Sequence, residues 1–258
     1  MARRLFAVLL TLVPAGLSAQ APDTTAVEIV WGVKIPLRDG IRLNATLYRP
    51  RGARVPLPVI FTLTPYIGDT YHNWGLYQAR HGYVFAAVDV RGRGNSEGRF
   101  EPFVNEAKDG HDAVEWFARQ PWSNGKTAMW GGSYGGFDQW ATLKELPPHL
   151  TTIVPVAPTY LGLDFPFEAN IFSTYIIQWL TYTSGHAAQP TVFSDMAQWA
   201  GYARTLHSEH LPFRSLDSIA GNRSTMFQRW VDHPTPDAYW DAASPTPDQI
   251  RGMTQPIL

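Results

Sequence analysis

Gly131-Gly132-Ser133-Tyr134-Gly135 sets a serine between glycines two residues before and two after it, the G-x-S-x-G spacing of a nucleophile elbow. The chemistry this serves is acyl transfer, in which a sharp strand-to-helix turn holds the serine hydroxyl above a sheet in a strained backbone conformation. Glycines at the flanking positions let the strand and the helix approach without Cβ clashes. The competing reading is a glycine-rich turn around a buried serine. Context favours the nucleophile: Lys126–Trp130 reads as a short strand and Tyr134–Leu146 as a helix, the setting the motif requires. Neither G-x-G-x-x-G nor G-x-x-x-x-G-K-[ST] occurs, so these glycines make no dinucleotide or phosphate loop.

Acyl transfer also needs donors aimed at the developing oxyanion. The backbone N–H of Tyr134, at the helix start, is one candidate. The second should come from the loop after the first parallel strand, where the sequence offers Thr64-Pro65-Tyr66 and no run of glycines. A tyrosine hydroxyl can replace a backbone donor, so Tyr66 is a candidate for that role or for an aromatic wall of the pocket. A general base is harder to find. Asp164 is the one acid in a suitable place after the following strand, with His186, His207, His210 and His233 behind it. Those histidines fall outside the strand ends that carry a triad, so ordinary polar roles are favoured. His207 and His210 flank Glu209 without HExxH or another dependable ligand spacing, so no metal site is expected. The loop Arg91–Gly98 reads as structural, its arginines bonding carbonyls and carboxylates beneath the site with Asp89 and Asp109 as partners.

The elements that must position these residues are legible from periodicity. Val27–Leu37 and Ile41–Tyr48, joined by Arg38-Asp39-Gly40, predict an antiparallel hairpin. In its second strand Ile41, Leu43, Ala45 and Leu47 alternate with Arg42, Asn44 and Thr46, predicting one buried and one wet face. Pro58–Leu63, Tyr83–Val90 and Thr151–Ala157 are nearly continuous apolar runs, as expected of parallel strands covered on both faces. Helices are predicted at Trp74–Arg80, Asn105–Arg119 and Tyr134–Leu146. In the second, Ala113, Val114 and Phe117 form the apolar stripe, with Glu106, Lys108, Asp112 and Glu115 expected in water. The alternation predicts an α/β fold, a mostly parallel central sheet flanked by helices. From residue 159 to 250 it gives way to a Trp-, Tyr-, Phe-, Ser- and Pro-rich stretch, read as an inserted helical cap without a clear strand. Residues 22–158 are thus the core with its nucleophile elbow, and residues 251–258 read as the start of the next core strand.

The chain has 258 residues, 45% hydrophobic and 17% charged, with formal net charge −1. It can bury a sizeable core, and no basic field points to nucleic acid or an anionic membrane. Ten Trp, 11 Tyr and 13 Phe suit either a large core or an apolar pocket, with Trp179, Tyr182, Trp199 and Trp230 expected to shape the latter. Arg3 and Arg4, the apolar run Leu5–Leu17 and Ala19-Gln20-Ala21 read as a cleaved signal peptide over residues 1–21. A secreted or periplasmic protein, free of the membrane after cleavage, is the expectation. The absence of cysteine excludes disulfides and thiol catalysis.

Three segments together carry a family resemblance: Thr64-Pro65-Tyr66, then Asp89 to Gly98, then Gln120 to Gly136, which contains the elbow. They resemble the cocaine esterase-like (CocE/NonD) hydrolases, relatives of Xaa-Pro dipeptidyl-peptidases and α-amino-acid ester hydrolases. His233–Trp240 is also similar to that family. The resemblance implies the α/β-hydrolase fold with a helical cap and then a C-terminal jelly roll. It implies Ser133 as nucleophile, with the Tyr66 hydroxyl and the Tyr134 amide as oxyanion hole. The expected reaction is hydrolysis of a small-molecule ester or a short peptide through an acyl-enzyme, without a cofactor. In the family the triad Asp follows the next core strand and the His comes later still. The sequence ends at Leu258, inside what resembles that strand, so a C-terminally truncated piece of a larger protein is expected. An acyltransferase on the same scaffold, or an inactive fragment lacking Asp and His, are the alternatives.

Overall fold

The computed structural model describes residues 26–258; the expected signal peptide lies outside them. The chain opens with a hairpin, β1 (Val27–Pro36) and β2 (Arg42–Pro50), followed by β3 (Leu57–Thr64) and a 3-10 turn at Gly68–Tyr71. Then come α1 (His72–Arg80), β4 (Val84–Asp89), α2 (Glu106–Ala118), β5 (Ser123–Gly132), α3 (Tyr134–Leu143) and β6 (Leu150–Val156). The six strands form one sheet in the order β1-β2-β4-β3-β5-β6. β1 and β2 are antiparallel to their neighbours, while β4, β3, β5 and β6 run parallel. Beyond β6, Ile257 bridges to Ile153 in parallel sense, and the Leu258 N–H donates to the Ile153 carbonyl at 3.2 Å.

Every residue of β4 is buried, and its two faces meet different helices. Val84, Ala86 and Val88 join the large core with Ala113, Val114 and Phe117 of α2 and Phe137 and Ala141 of α3. Phe85 and Ala87 pack in a second core with Leu76 and Ala79 of α1 and Tyr48 of β2. Helices on both faces remove water from both, which is why these strands read as unbroken apolar runs. α1 crosses so close that a Cβ on Gly75 would lie 2.4 Å from the Tyr48 ring.

Two expected wet faces are partly dry: Arg42 and Lys108 are exposed as expected, but others are not. Asn44 and Thr46 are buried, and at Asn44 the cover is the Asp89–Gly98 loop: the Asn44 N–H donates to Ser96 Oγ at 2.7 Å and its side chain to Asp89 at 3.3 Å. On α2, Glu106 and Glu115 are buried as well. Glu115 accepts from the His149 backbone at 3.2 Å and lies 2.9 Å from His149 Nδ1, and Glu106 accepts from a tyrosine described below.

Residues 159–252 hold a two-stranded ribbon, β7 (Phe167–Glu168) with β8 (Ile171–Phe172), which the sequence reading lacked. Pairing two residues long is below what a period-2 pattern can reveal. The helices are α4 (Tyr175–Tyr182), α5 (Pro190–Ser194), α6 (Met196–Ser208), α7 (Leu216–Ile219), α8 (Thr225–Val231), α9 (Ala238–Asp241) and α10 (Pro247–Gly252). α10 opens with a Thr246/Gln249 capping box and Pro247 in its first turn, an arrangement that satisfies N-terminal backbone donors. Among the described residues no helix is long and apolar enough to cross a membrane.

Candidate active site

Ser133 sits between β5 and α3 at φ 56° and ψ −120°, a conformation that costs a non-glycine residue about 1–3 kcal/mol. The surroundings hold it there. Its N–H donates to the Val156 carbonyl at 2.9 Å, and its own carbonyl accepts from Gly136 at 2.8 Å and Phe137 at 3.0 Å. A Cβ at Gly131 would stand 2.8 Å from Thr62 Oγ1, and one at Gly136 would stand 3.1 Å from both Pro158 Cα and the Val156 carbonyl. The tight turn therefore depends on the bare backbone around it.

Tyr66 reaches the same point from the end of β3. Its N–H donates to Thr64 Oγ1 at 3.1 Å, and its ring stacks on Tyr182 at 5.7 Å between centroids. Its hydroxyl lies 3.2 Å from Ser133 Oγ and accepts from the indole Nε1 of Trp179 at 3.2 Å. The Tyr134 backbone N–H also faces this hydroxyl; burial nevertheless outweighs these neighbours and holds the Tyr66 phenol above its ordinary range, so it keeps its proton at neutral pH. Ser133 Oγ, the Tyr66 hydroxyl and the Tyr134 amide thus converge, and that grouping can accept a carbonyl oxygen as it gains charge.

The Tyr134 side chain does something else. It runs into the core, where its hydroxyl donates to Glu106 Oε1 at 2.5 Å and accepts from the Phe103 N–H at 2.8 Å. Burial pushes the Glu106 carboxyl up to about 7, and pushes Asp138, five residues past Ser133, well above the usual carboxylate range. Glu106 Oε2 and both Asp138 oxygens have no hydrogen-bond partner. The sequence reading missed this pair. The signal was present for Glu106, since it lies four residues before Gly110 and so on the buried side of α2 with Ala113 and Phe117.

A cavity of about 190 Å³ opens at Ser133, lined by Tyr66, Phe103, Tyr134, Phe165, Tyr175 and Trp179 among others. Of the four cap aromatics expected there, Trp179 lines the cavity and Tyr182 backs Tyr66. Trp230 instead lines an adjoining cavity with Tyr239 and Trp240. Trp199 is turned away, stacked edgewise on Tyr202 and donating to the Val192 carbonyl at 2.8 Å. Asp164 reaches the cavity wall, yet its carboxylate caps its own loop, accepting from Thr159 at 2.7 Å and Tyr160 at 2.6 Å. His186 bonds the Gly94 carbonyl at 3.1 Å, and His233 pairs with Asp237 at 2.7 Å. No hydrogen bond links a histidine to Ser133 among the described residues. No group of three or more residues able to hold a metal ion occurs among them either.

The Arg91–Gly98 loop supports the site from below. Arg91 grips Asp109 at 2.7 Å and Asp39 at 2.7 Å. Arg93, fully buried, donates to the Pro65 carbonyl at 2.8 Å, the Ser184 carbonyl at 2.9 Å and the Gly185 carbonyl. Desolvation draws its guanidinium down to about 10, so it stays charged at neutral pH. Asp89, expected to pair with an arginine, instead accepts from the Gly68 N–H at 2.7 Å and from Asn44.

The family profile described as X-Pro dipeptidyl-peptidase (S15 family) matches residues 39–258. The cocaine esterase of Rhodococcus sp. (strain MB1 Bresler) is 30% identical over 248 residues, covering 90% of this chain and 43% of that protein. Among solved structures, an α-amino acid ester hydrolase superposes with TM-score 0.67 at 21% identity, covering 95% of this chain and 45% of that one. A CocE/NonD family hydrolase from Staphylococcus aureus gives TM-score 0.66 at 20% identity, covering 89% and 40%. These neighbours share the α/β-hydrolase fold. The chain spans less than half the length of the curated relative it matches.

Proposed function

The chain belongs to the X-Pro dipeptidyl-peptidase (S15) family, and from that premise we propose that the full-length protein hydrolyses small esters or short amides through an acyl-enzyme on Ser133. One observation carries the reading: a serine strained at an elbow, its Oγ 3.2 Å from the hydroxyl of a half-buried tyrosine. The names of the relatives, a dipeptidyl-peptidase family and an esterase, support ester or amide bonds as the substrate class. Ser133 Oγ attacks the carbonyl carbon while a histidine takes its proton. The Tyr66 hydroxyl and the Tyr134 amide hold the oxyanion, each worth roughly 10²–10³ in rate. The leaving group departs with that proton, and water releases the acyl group through the same base. Triads on this fold run Ser, acid, His along the chain, and His186 and His233 are engaged away from Ser133, so the reading assigns the acid and the histidine to a region corresponding to the part of the cocaine esterase that this chain does not cover. The aromatic cavity at Ser133 suits a short acyl group.

The test is turnover by the full-length protein of short-chain p-nitrophenyl esters and of Xaa-Pro p-nitroanilides. Saturable hydrolysis of either series, lost in Ser133→Ala, is expected. A folded full-length protein inert to both would overturn the reading.

A further inference from the structure

We propose that Trp179 is a positioning residue of this site: its indole N–H fixes the direction in which the Tyr66 hydroxyl points its proton. The inference rests on the hydrolase reading above and adds to it a cap residue that acts through Tyr66. An indole N–H can only donate, so in the 3.2 Å contact with Tyr66 the phenol oxygen is the acceptor. The Tyr134 backbone N–H beside that oxygen can likewise only donate. With donors on that oxygen, Ser133 Oγ at 3.2 Å is the acceptor that the described residues offer the Tyr66 proton. Two consequences follow. Tyr66 is poised as a donor before substrate arrives, so little reorganisation is needed when the oxyanion forms. The Ser133 hydroxyl, accepting from Tyr66, must send its own proton elsewhere, toward a base.

The donor is held rigidly. Trp179 is 4% exposed and its ring packs near-parallel to Tyr134 at 5.6 Å and 16° and to Phe103 at 5.8 Å and 18°, two rings that also pack on each other at 4.7 Å. Trp179 rides on α4 and Tyr66 on the loop after β3, and the Arg93 guanidinium binds the carbonyls that flank both, Pro65 before Tyr66 and Ser184 and Gly185 beyond α4. Donor and acceptor are therefore tied to each other by one buried cation.

Three variants of the full-length protein, Trp179→Phe, Tyr66→Phe and the double, assayed on p-nitrophenyl acetate, separate the two roles. Phenylalanine keeps an aromatic wall and removes the N–H. Trp179→Phe should lower kcat about 5–20-fold with KM changed less than about 2-fold, because the bond acts on the transition state. In the Tyr66→Phe background it should cost less than about 2-fold, because coupled residues are not additive. Equal losses in both backgrounds, or a loss confined to KM, would reduce Trp179 to a contact surface and overturn the proposal. An inert wild type would instead remove the hydrolase reading on which it rests. A readout free of turnover is the ¹⁵N–¹H signal of the Trp179 indole, which should move upfield in Tyr66→Phe as its acceptor is lost; an unmoved signal would also overturn the proposal.

Discussion

Around Ser133 two kinds of polar residue coexist, and their difference is one of partners. Tyr66 is half-buried and engaged, its hydroxyl bonded to the Trp179 indole and to Ser133 Oγ. Glu106 and Asp138 are buried with oxygens left over, and a buried charge without partners is costly enough to stay neutral instead. This gives a pH dependence of stability with a definite sign. In the unfolded chain Glu106 loses its proton near its ordinary 4.5, whereas in the fold it keeps it to about 7. The folded chain therefore binds more protons across that window, and stability falls as pH rises through it, by up to about 1.4 kcal/mol per pH unit for one group. Asp138, shifted in the same direction, steepens the fall. Thermal unfolding of Asp138→Asn followed from pH 4.5 to pH 8 should show a flatter decline than wild type and a higher midpoint at pH 8. Parallel curves would mean that the Asp138 carboxyl is ionised in the fold. The motif made Ser133 legible in the sequence, and position made Tyr66 a candidate; Trp179 was legible as an aromatic but not as a donor. Its partner lies 113 residues away, and no local pattern encodes a contact of that range.

Among the elements, the continuous apolar strands were the most legible, since burial on both faces leaves no polar residue to blur them. The errors fall where a polar side chain finds a distant partner: Asn44 under Ser96, Glu115 beside His149, Glu106 beneath Tyr134. A wet face and a buried polar face have the same composition, so periodicity alone cannot separate them. The close crossing of α1 over β2 was equally silent, being encoded in one glycine. Gly75→Ala would press a methyl within 2.4 Å of the Tyr48 ring and should cost about 1–3 kcal/mol as overpacking. Chemical denaturation should show this as a lower midpoint with unchanged slope. Since α1 and Tyr48 belong to the core on the opposite face from α2 and α3, Ser133 labelling should survive in the fraction that stays folded. A variant as stable as wild type would contradict the packing described.

At the scale of the molecule, the sheet brings two segments to one point, and the cap closes over it. β3 delivers Tyr66, the β5–α3 turn delivers Ser133, and α4 lays Trp179 across both, with Arg93 fastening cap to core. The fold class followed from strand-helix alternation, while the ribbon β7–β8 and the seating of the cap on Arg93 depended on contacts across the whole chain. All of this converges on the reactivity of one oxygen. The full-length protein treated with a fluorophosphonate and weighed intact, beside its Ser133→Ala variant, measures that directly. A single adduct on the wild type at Ser133, absent from the variant, is the predicted result. Equal labelling of the two, or no labelling of a folded wild type, would contradict it.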